Sequence, residues 1–362
     1  MPFLIENGIL NNYIEEPGVT EITIPDTVTK IGNKAFFRCV HLTSVTIPDT
    51  VTSIGSFAFQ VCTRLASVNI GKGVKYMGDW VFAACSSLTS VCIPEGVPCI
   101  GDRTFSCCTS LTDVTIPGSV MDIAERAFAE CTSLKTLVIP EGVSSIGDAA
   151  FSGCSALTSV TIPDTVSFIG SHAFRDCSAL TELVIPDSVS KLGNYAFYGC
   201  KSLKTLTIPL SIQVWGQDPF ACSALEYLKL HPEDTPLRRN FAMYEDDIPK
   251  AVRMLRDMDL KADIPNTVKF PFIILHYLRT HDADCAAFLR EEFFFVLMDS
   301  ILAGDIVFLS EVTGKTDWIT GECVDALARF AHDAGEPEIY LMLVNYKHDK
   351  FGFRSVEEQF DL

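Results

Sequence analysis

Cys39, Cys62, Cys85, Cys108, Cys131, Cys154, Cys177 and Cys200 are separated by steps of 23 residues, and Cys222 follows one residue early. Other residues keep the same step. Leu recurs from Leu42 to Leu203, with Leu225 closing the series, Ile from Ile24 to Ile208, and Phe from Phe36 to Phe197. The unit starting at Leu157 reads LTSVTIPDTVSFIGSHAFRDCSA. Nine such units run from Val19 to Ala224, and Leu225–Leu230 supplies the strand of a tenth. A fixed period this short constrains the chain more than any other feature. One unit is too small to bury its own apolar side, so the copies must stack.

Each part of the unit has a physical role. Val45 and Ile47 alternate with Thr46, as in a strand with one buried face. Pro48 ends the strand because it has no amide to donate. Asp49 suits a turn, and Gly55 suits a tight bend. Val51, Ile54, Phe59 and Cys62 return inward from the far side. With strands about 4.8 Å apart, the units make a rod of roughly 45 Å with a parallel sheet along one face.

The I-P, I-G, A-F and C elements make these units resemble leucine-rich repeats of the BspA type, also called the Treponema pallidum type. The resemblance spans Val19–Leu230. Departures are local: Gly71 for the Pro, Ala124 for the Gly, Val81 and Thr104 for the Ala, and an irregular Val214–Cys222. The opening FLIENGILNNYIEEPGVTEITIP also resembles the lead-in of such proteins. Independently, Asn7-Gly8 between short apolar runs signals a hairpin that would cover the first strand edge. The expected fold is a repeat solenoid, a leucine-rich-repeat parallel β-solenoid of 23-residue coils followed by an all-α C-terminal domain. The expected divisions are a cap hairpin at 1–18, the solenoid at 19–230, a linker at 231–240 and a helical domain at 241–362.

Fourteen cysteines suggest a disulfide scaffold until their spacing is read. Nine sit at one repeat position beside Phe and Leu, which makes them buried apolar thiols. Stacked side chains point in parallel, whereas a disulfide needs converging Cβ atoms about 3.8 Å apart. Cys92, Cys99, Cys107, Cys285 and Cys323 lie outside the ladder, and the absence of any C-x-x-C argues against zinc.

The outward sheet positions form the candidate partner-binding face. They are Ser44, Thr46, Ser67, Asn69, Ser90, Cys92, Asp113, Thr115, Thr136, Val138, Ser159, Thr161, Glu182, Val184, Thr205 and Thr207, with Tyr227 and Lys229 at the end. This hydroxyl-rich surface is broad enough for a protein partner. It has few Trp, Tyr or Arg residues, the usual hot-spot types, and Thr is also simply a good strand residue. Asp26, Asp49, Glu95, Glu141, Asp164 and Asp187 share a second position after the prolines. Turn capping explains this acidic stripe better than calcium does, because no second ligand column accompanies it.

After Leu230 the period stops. His231–Pro236 reads as a proline-bounded linker, and Ala251, Met254, Leu255 and Met258 then follow helical spacing. Further helices are expected at Phe272–Arg279, Ala283–Leu302, Asp305–Val312, Gly321–Ala334 and Glu338–Lys347, with Thr320 as an N-cap and Gly335 as a stop. Ala303-Gly304-Asp305 and Ala334-Gly335-Glu336 recur at a step of 31, and these helix pairs weakly resemble ankyrin-type repeats. Thr316–Thr320 stands where the missing Thr-Pro-Leu-His signature would be.

Catalytic patterns are not found. Gly314-Lys315-Thr316 mimics the end of a P-loop, but Leu309 occupies the place of its first glycine. Gly71-Lys72-Gly73 is a repeat variant, and Tyr76 replaces the third glycine of a dinucleotide fingerprint. His276, His281, Asp282, Asp284 and Cys285 are the sole mixed ligand cluster, and they span a helix end. The net charge is -18, of which residues from His231 onward carry -11. That balance disfavours nucleic acid and anionic membranes. No signal peptide or spanning segment is visible, so a cytoplasmic location is expected, with the cell surface as the alternative.

The expected function is a non-enzymatic protein-protein interaction scaffold with no cofactor or metal. The alternative is a cell-surface or secreted adhesin-like binding protein, and an enzyme ranks third because no convergent constellation is found. Phe151→Ala is expected to cost about 3–5 kcal/mol. A chemical denaturation curve showing less than roughly 1 kcal/mol of loss would contradict the inward Phe ladder.

Overall fold

Each 23-residue coil contributes one main strand and one short strand, and its neighbours supply what it lacks. The computed structural model describes residues 2–232, 237–238, 247–280, 282–302, 304, 306, 309–310 and 321–351. Two compact units are present, Met1–Leu225 and Glu226–Leu362.

In the first unit, the main strands pair in parallel at an offset of one repeat, as in Ser44↔Ser67, Val45↔Val68, Thr46↔Asn69 and Ile47↔Ile70. Glu21–Thr23 through Asp113–Thr115 form one five-stranded sheet, and Thr136–Val138 with Ser159–Thr161 form a separate pair. Glu182–Val184 pairs with Thr205–Thr207 in a third sheet. The expected single sheet is therefore divided among the described strands. A second ladder of two-residue strands lies opposite, running from Lys30–Ile31 to Tyr76–Met77 and from Cys99–Ile100 to Val214–Trp215. Its inward residues Ile31, Ile54, Ile100, Ile123, Ile146 and Ile169 are buried.

The two ladders are joined through a corner with unusual backbone geometry. Two residues per coil are left-handed, for example Lys34 (φ 60) and Arg38 (φ 61), then Phe57 (φ 63) and Val61 (φ 63). Most are not glycine, although such φ values are uncommon for bulky side chains. The hydrogen bonds explain how they are held. Lys34, Phe36 and Arg38 donate their amides to the carbonyls of Ser56, Ala58 and Gln60 in the next coil, at 3.0, 2.7 and 2.9 Å. The intervening amides of Ala35, Phe37 and Cys39 donate within the coil to Gly32, Lys34 and Phe36. Every amide from Lys34 to Cys39 thus has a partner, which offsets the local strain.

Glycine does a different job from the one expected. Gly55 is not left-handed. A Cβ there would lie 2.5 Å from Asn33 Oδ1 and 2.7 Å from the Asn33 nitrogen. Its small size permits close approach of the preceding coil. That approach lets side-chain oxygens cap amides across coils. Asn33 Oδ1 accepts from the Ser56 amide at 2.9 Å, Asp79 Oδ1 from Asp102 at 3.0 Å, and Asp148 Oδ1 from Ser171 at 2.7 Å.

The core is a column of phenylalanines. Phe36 through Phe220 are buried, and adjacent rings stack with centroids 4.7–5.7 Å apart and planes within 13°. Tyr13 extends the column, 5.2 Å from Phe36, and Phe3 lies 5.3 Å from Tyr13. Phe220 shows that the irregular last coil keeps the aromatic register. The thiol ladder needs two corrections. Cys222 is exposed and left-handed (φ 63), at the position of Gly199 in the preceding coil, so the ladder has eight cysteines and Ser223 takes the ninth place. The thiols are also more than apolar filling. Sγ of Cys62, Cys85, Cys108, Cys131, Cys154, Cys177 and Cys200 each donates to a Phe carbonyl of the preceding coil, at 3.1–3.3 Å.

The N-terminal hairpin pairs Phe3–Glu6 with Ile9–Tyr13 about Asn7 (φ 49) and Gly8 (φ 76). Ile9 and Leu10 then pair with Lys30 and Ile31. The hairpin therefore covers the short-strand ladder, whereas Glu21–Thr23 remains the terminal strand of the main sheet. Glu15 ties the lead-in to the first coil, accepting from the His41 amide and meeting its Nδ1, both at 2.9 Å.

In the second unit, α1 (Ile248–Asp257), α2 (Asn266–Thr280), α3 (Ala283–Leu302), α4 (Gly321–Asp333) and α5 (Pro337–Phe351) each pack on the next in chain order. Gly335 (φ 77) stops α4, where the amides of Gly335 and Glu336 donate to His332 and Ala331. Lys347 is buried, and its Nζ donates to Asp325 at 2.5 Å, locking α5 to α4. The expected helix at Asp305–Val312, the Thr320 cap and the Thr316–Thr320 segment lie wholly or largely outside the described residues.

Burial pushes the Cys154 and Cys200 thiols up to about 12. Thiols in the unfolded chain ionise from about 8.5. Between these values thiolate forms only on unfolding, so this stability is present below about 8.5 and is lost as pH rises toward 12. Denaturation midpoints measured from pH 7 to 11 should fall, and Cys154→Ala should flatten the decline.

Candidate functional site

The candidate face is built by strand alternation. Val45, Val91 and Leu137 point inward and are buried, so their neighbours on either side point outward. Ser67, Asn69, Ser90, Cys92, Asp113, Thr115, Thr136, Val138, Ser159 and Thr161 are all exposed, Val138 at 69%. Glu182 is also exposed, whereas Ser44, Thr46, Val184 and Thr205 are half-buried. Ser67 Oγ donates to Ser44 Oγ at 3.1 Å across coils. Asp113 and Glu182 are the sole ionisable carboxylates among these outward positions. Apart from Asp113, the middle of the face is thus neutral and dotted with hydroxyls.

Its C-terminal end differs from expectation. Thr207 is 2% exposed, and its hydroxyl has no hydrogen-bond partner among the described residues. Enclosed in this way, it cannot meet a partner. Tyr227 and Lys229 lie in a strand of the second unit that pairs antiparallel with Leu237–Arg238. Both are half-buried, and Lys229 Nζ donates to the Pro232 carbonyl at 3.0 Å.

The acidic stripe residues Asp26, Asp49, Glu95, Glu141, Asp164 and Asp187 are exposed. Asp49 caps across coils rather than in its own turn, since Oδ1 accepts from the Lys72 amide at 2.7 Å. The mixed cluster near residue 280 resolves into a helix cap. Asp282 Oδ1 accepts from the amides of Asp284 and Cys285 at 3.0 and 2.9 Å, at the start of α3. Those bonds hold its carboxyl below the usual range. Burial pushes Cys285 up to about 12 and pulls His276 down. His281 and Gly314-Lys315-Thr316 lie outside the described residues. Among the described residues, no group of three or more His, Cys, Asp or Glu could hold a metal ion. No described helix is long and apolar enough to cross a membrane.

The left-handed corner carries what the sheet face lacks. Phe37, Phe57, Trp80 and Arg103 gather there toward the N-terminal end, and His172, Tyr195 and Tyr198 gather farther along. The signal was available in the sequence, because Lys34, Phe57, Trp80, Arg103, Arg126, Ala149, His172 and Tyr195 share one repeat position. Its chemical variety hides it from a search for repeated residues.

A family model described as the BspA type leucine rich repeat region (6 copies) matches residues 9–135 and 121–245. Similar solved structures include the Treponema pallidum leucine rich repeat protein, at 28% identity and a TM-score of 0.40, covering 54% of this chain and 82% of that one. A leucine rich cell surface protein from Faecalibacterium prausnitzii is 26% identical, with a TM-score of 0.30 over 58% of this chain and 87% of that one. The pneumococcal vaccine antigen PcpA is 22% identical, with a TM-score of 0.37 over 58% and 67%. The search of curated proteins found no match.

Cys92, Cys107 and Cys222 are exposed, whereas the eight ladder thiols are buried. Brief alkylation of the native protein should label those three first, as read by peptide mass spectrometry. Labelling of Cys131 at the rate of Cys92 would contradict the buried ladder.

Proposed function

The chain belongs to the BspA type leucine-rich repeat family, and from that premise we propose that it is a non-enzymatic scaffold that binds a protein partner. The sheet face is the platform, and the helical unit offers a second contact. One observation carries this reading. Ten outward side chains, from Ser67 to Thr161, are exposed on five consecutive coils, about central residues that are buried in Val91 and Leu137 and half-buried in Val68, Val114 and Val160. Such a surface costs little ordering entropy on binding, because its backbone is already fixed by the stack. Most of its groups are small hydroxyls, with Asn69, Cys92, Asp113 and Val138 among them, which suit a broad contact rather than a reaction. No nucleophile, base and oxyanion donor converge on it.

A cell-surface, adhesin-like role is the second reading. The F. prausnitzii protein is described as a cell surface protein, and that description concerns that protein. The same rigid face would serve either location.

The test is a crosslinking pull-down with the full chain, comparing wild type with a Thr136→Arg, Ser159→Arg double variant. Both positions are exposed and face each other across adjacent strands, so the two like charges should lower the melting temperature only slightly and leave the fold intact. A protein captured by wild type should fall at least tenfold with the variant, a loss of about 1.4 kcal/mol or more. Equal capture would remove the sheet face from the proposal. Fractionation of the source cell separates the two readings, with surface recovery favouring adhesion.

A further inference from the structure

The N-terminal part of the left-handed corner combines cations and aromatic rings in a way found nowhere on the sheet face. Lys34 Nζ lies 6.0 Å from the Phe37 ring centre and 5.6 Å from that of Phe57. The Arg38 guanidinium lies 5.4 Å from the Phe37 ring. Phe57 stacks on Trp80 at 6.0 Å, and the Arg103 guanidinium covers Trp80 at 4.6 Å. These groups form one connected surface across four coils. Phe37 is 38% exposed, Lys34 and Arg38 are exposed, and Phe57 and Trp80 are half-buried.

The charges here are not all balanced. Arg103 pairs with Glu125, which also meets Arg126. No described carboxylate pairs with Lys34 or Arg38. Glu15 is engaged by His41, and Asp79 Oδ1 accepts from the Asp102 amide. Two cations therefore rest on aromatic rings, in a chain whose net charge is -18.

The mounting is rigid. Lys34, Arg38, Phe57, Trp80 and Arg103 all sit at left-handed positions, with φ between 51° and 63°. Their amides donate to the next coil at 2.8–3.0 Å. A ring–cation stack ordered before binding loses little side-chain freedom when a partner arrives. Trp, Arg and aromatic residues are also the types that dominate interface energetics.

We propose that this corner binds an extended acidic segment of a protein partner, with carboxylates at Lys34 and Arg38 and an apolar side chain along Phe37, Phe57 and Trp80. Charge complementarity selects this occupant. A bilayer or a nucleic acid is an extended polyanion that would face the chain's overall acid excess. A short segment feels mainly the charges within the screening length, about 8 Å at physiological salt. The proposal shares with the preceding section only the premise that the stack binds protein. It uses a different surface, so the two can fail separately.

The test uses the full chain and a dye-labelled peptide of two glutamates, a phenylalanine and two glutamates. Control peptides replace the glutamates by lysine or the phenylalanine by serine. Fluorescence anisotropy should show the acidic aromatic peptide binding at least tenfold more tightly than the lysine version, with affinity falling as salt rises. Lys34→Gln with Arg38→Gln should weaken it at least tenfold. Phe37→Ser should weaken it several-fold and narrow the gap to the serine peptide. Unchanged melting temperatures show that the fold persists. The Thr136→Arg, Ser159→Arg variant should bind the peptide as wild type does, which separates this corner from the sheet face. Equal affinity for all peptides, no binding of any, or no effect of the glutamine variants would overturn the proposal. So would binding to phosphatidylserine vesicles that the glutamine variants abolish.

Discussion

Each of the first eight coils presents amides at its corner that only the next coil satisfies. Lys34, Phe36 and Arg38 all donate forward, and Tyr195, Phe197 and Gly199 still do so seven coils farther along the series. A buried unpaired amide is costly, so a missing coil would leave a row of such groups. The strands alone do not impose this, because their pairing alternates between neighbours on both sides. The corner makes the stack directional. It also accounts for the left-handed residues, whose strain persists because hydrogen bonds on both sides over-determine the backbone.

The buried column follows from that geometry. With coils held at hydrogen-bonding distance, Phe side chains at one position must lie parallel, and the ring planes differ by as little as 2°. The column carbonyls from Phe36 to Phe174 each accept twice, from the Cys amide three residues on and from the thiol one coil later. Cysteine fits that place because it is small, apolar and still a weak donor. The same enclosure that makes the thiol useful keeps it protonated and shields it from oxidants. A redox role for the ladder would need the stack to open.

Binding surfaces come as by-products of a rigid stack. The strand face offers breadth and neutrality, since its side chains are small and its backbone is saturated. The corner offers anchors, because large residues at its left-handed positions, such as Lys34, Arg38, Phe57, Trp80 and Arg103, reach the surface. Lys34, Phe57, Trp80 and Arg103 can therefore differ freely while the coil beneath stays the same. Variation at one constant backbone position is how a repeat protein acquires specificity without altering its fold.

Much of the fold was legible before any coordinate. A period of 23 placed the main strands, the inward Ile, Leu and Phe positions and most of the thiols, because identical units in identical environments must bury identical residues. Helical spacing located α3 at its full length, Ala283–Leu302. Other features depended on neighbours that a linear pattern does not display. Gly55 faces Asn33 of the preceding coil, so its role was closeness rather than bending. Phe220 and Cys222 traded their apparent membership, because stacking, not residue type, defines a rung. Asp282 looked like part of a ligand set and is a helix cap, since adjacent amides reached it first. The sequence by itself determined that the chain stacks and which residues face inward. The tertiary structure decided how coils grip one another, and so which outward positions carry anchored rings and cations.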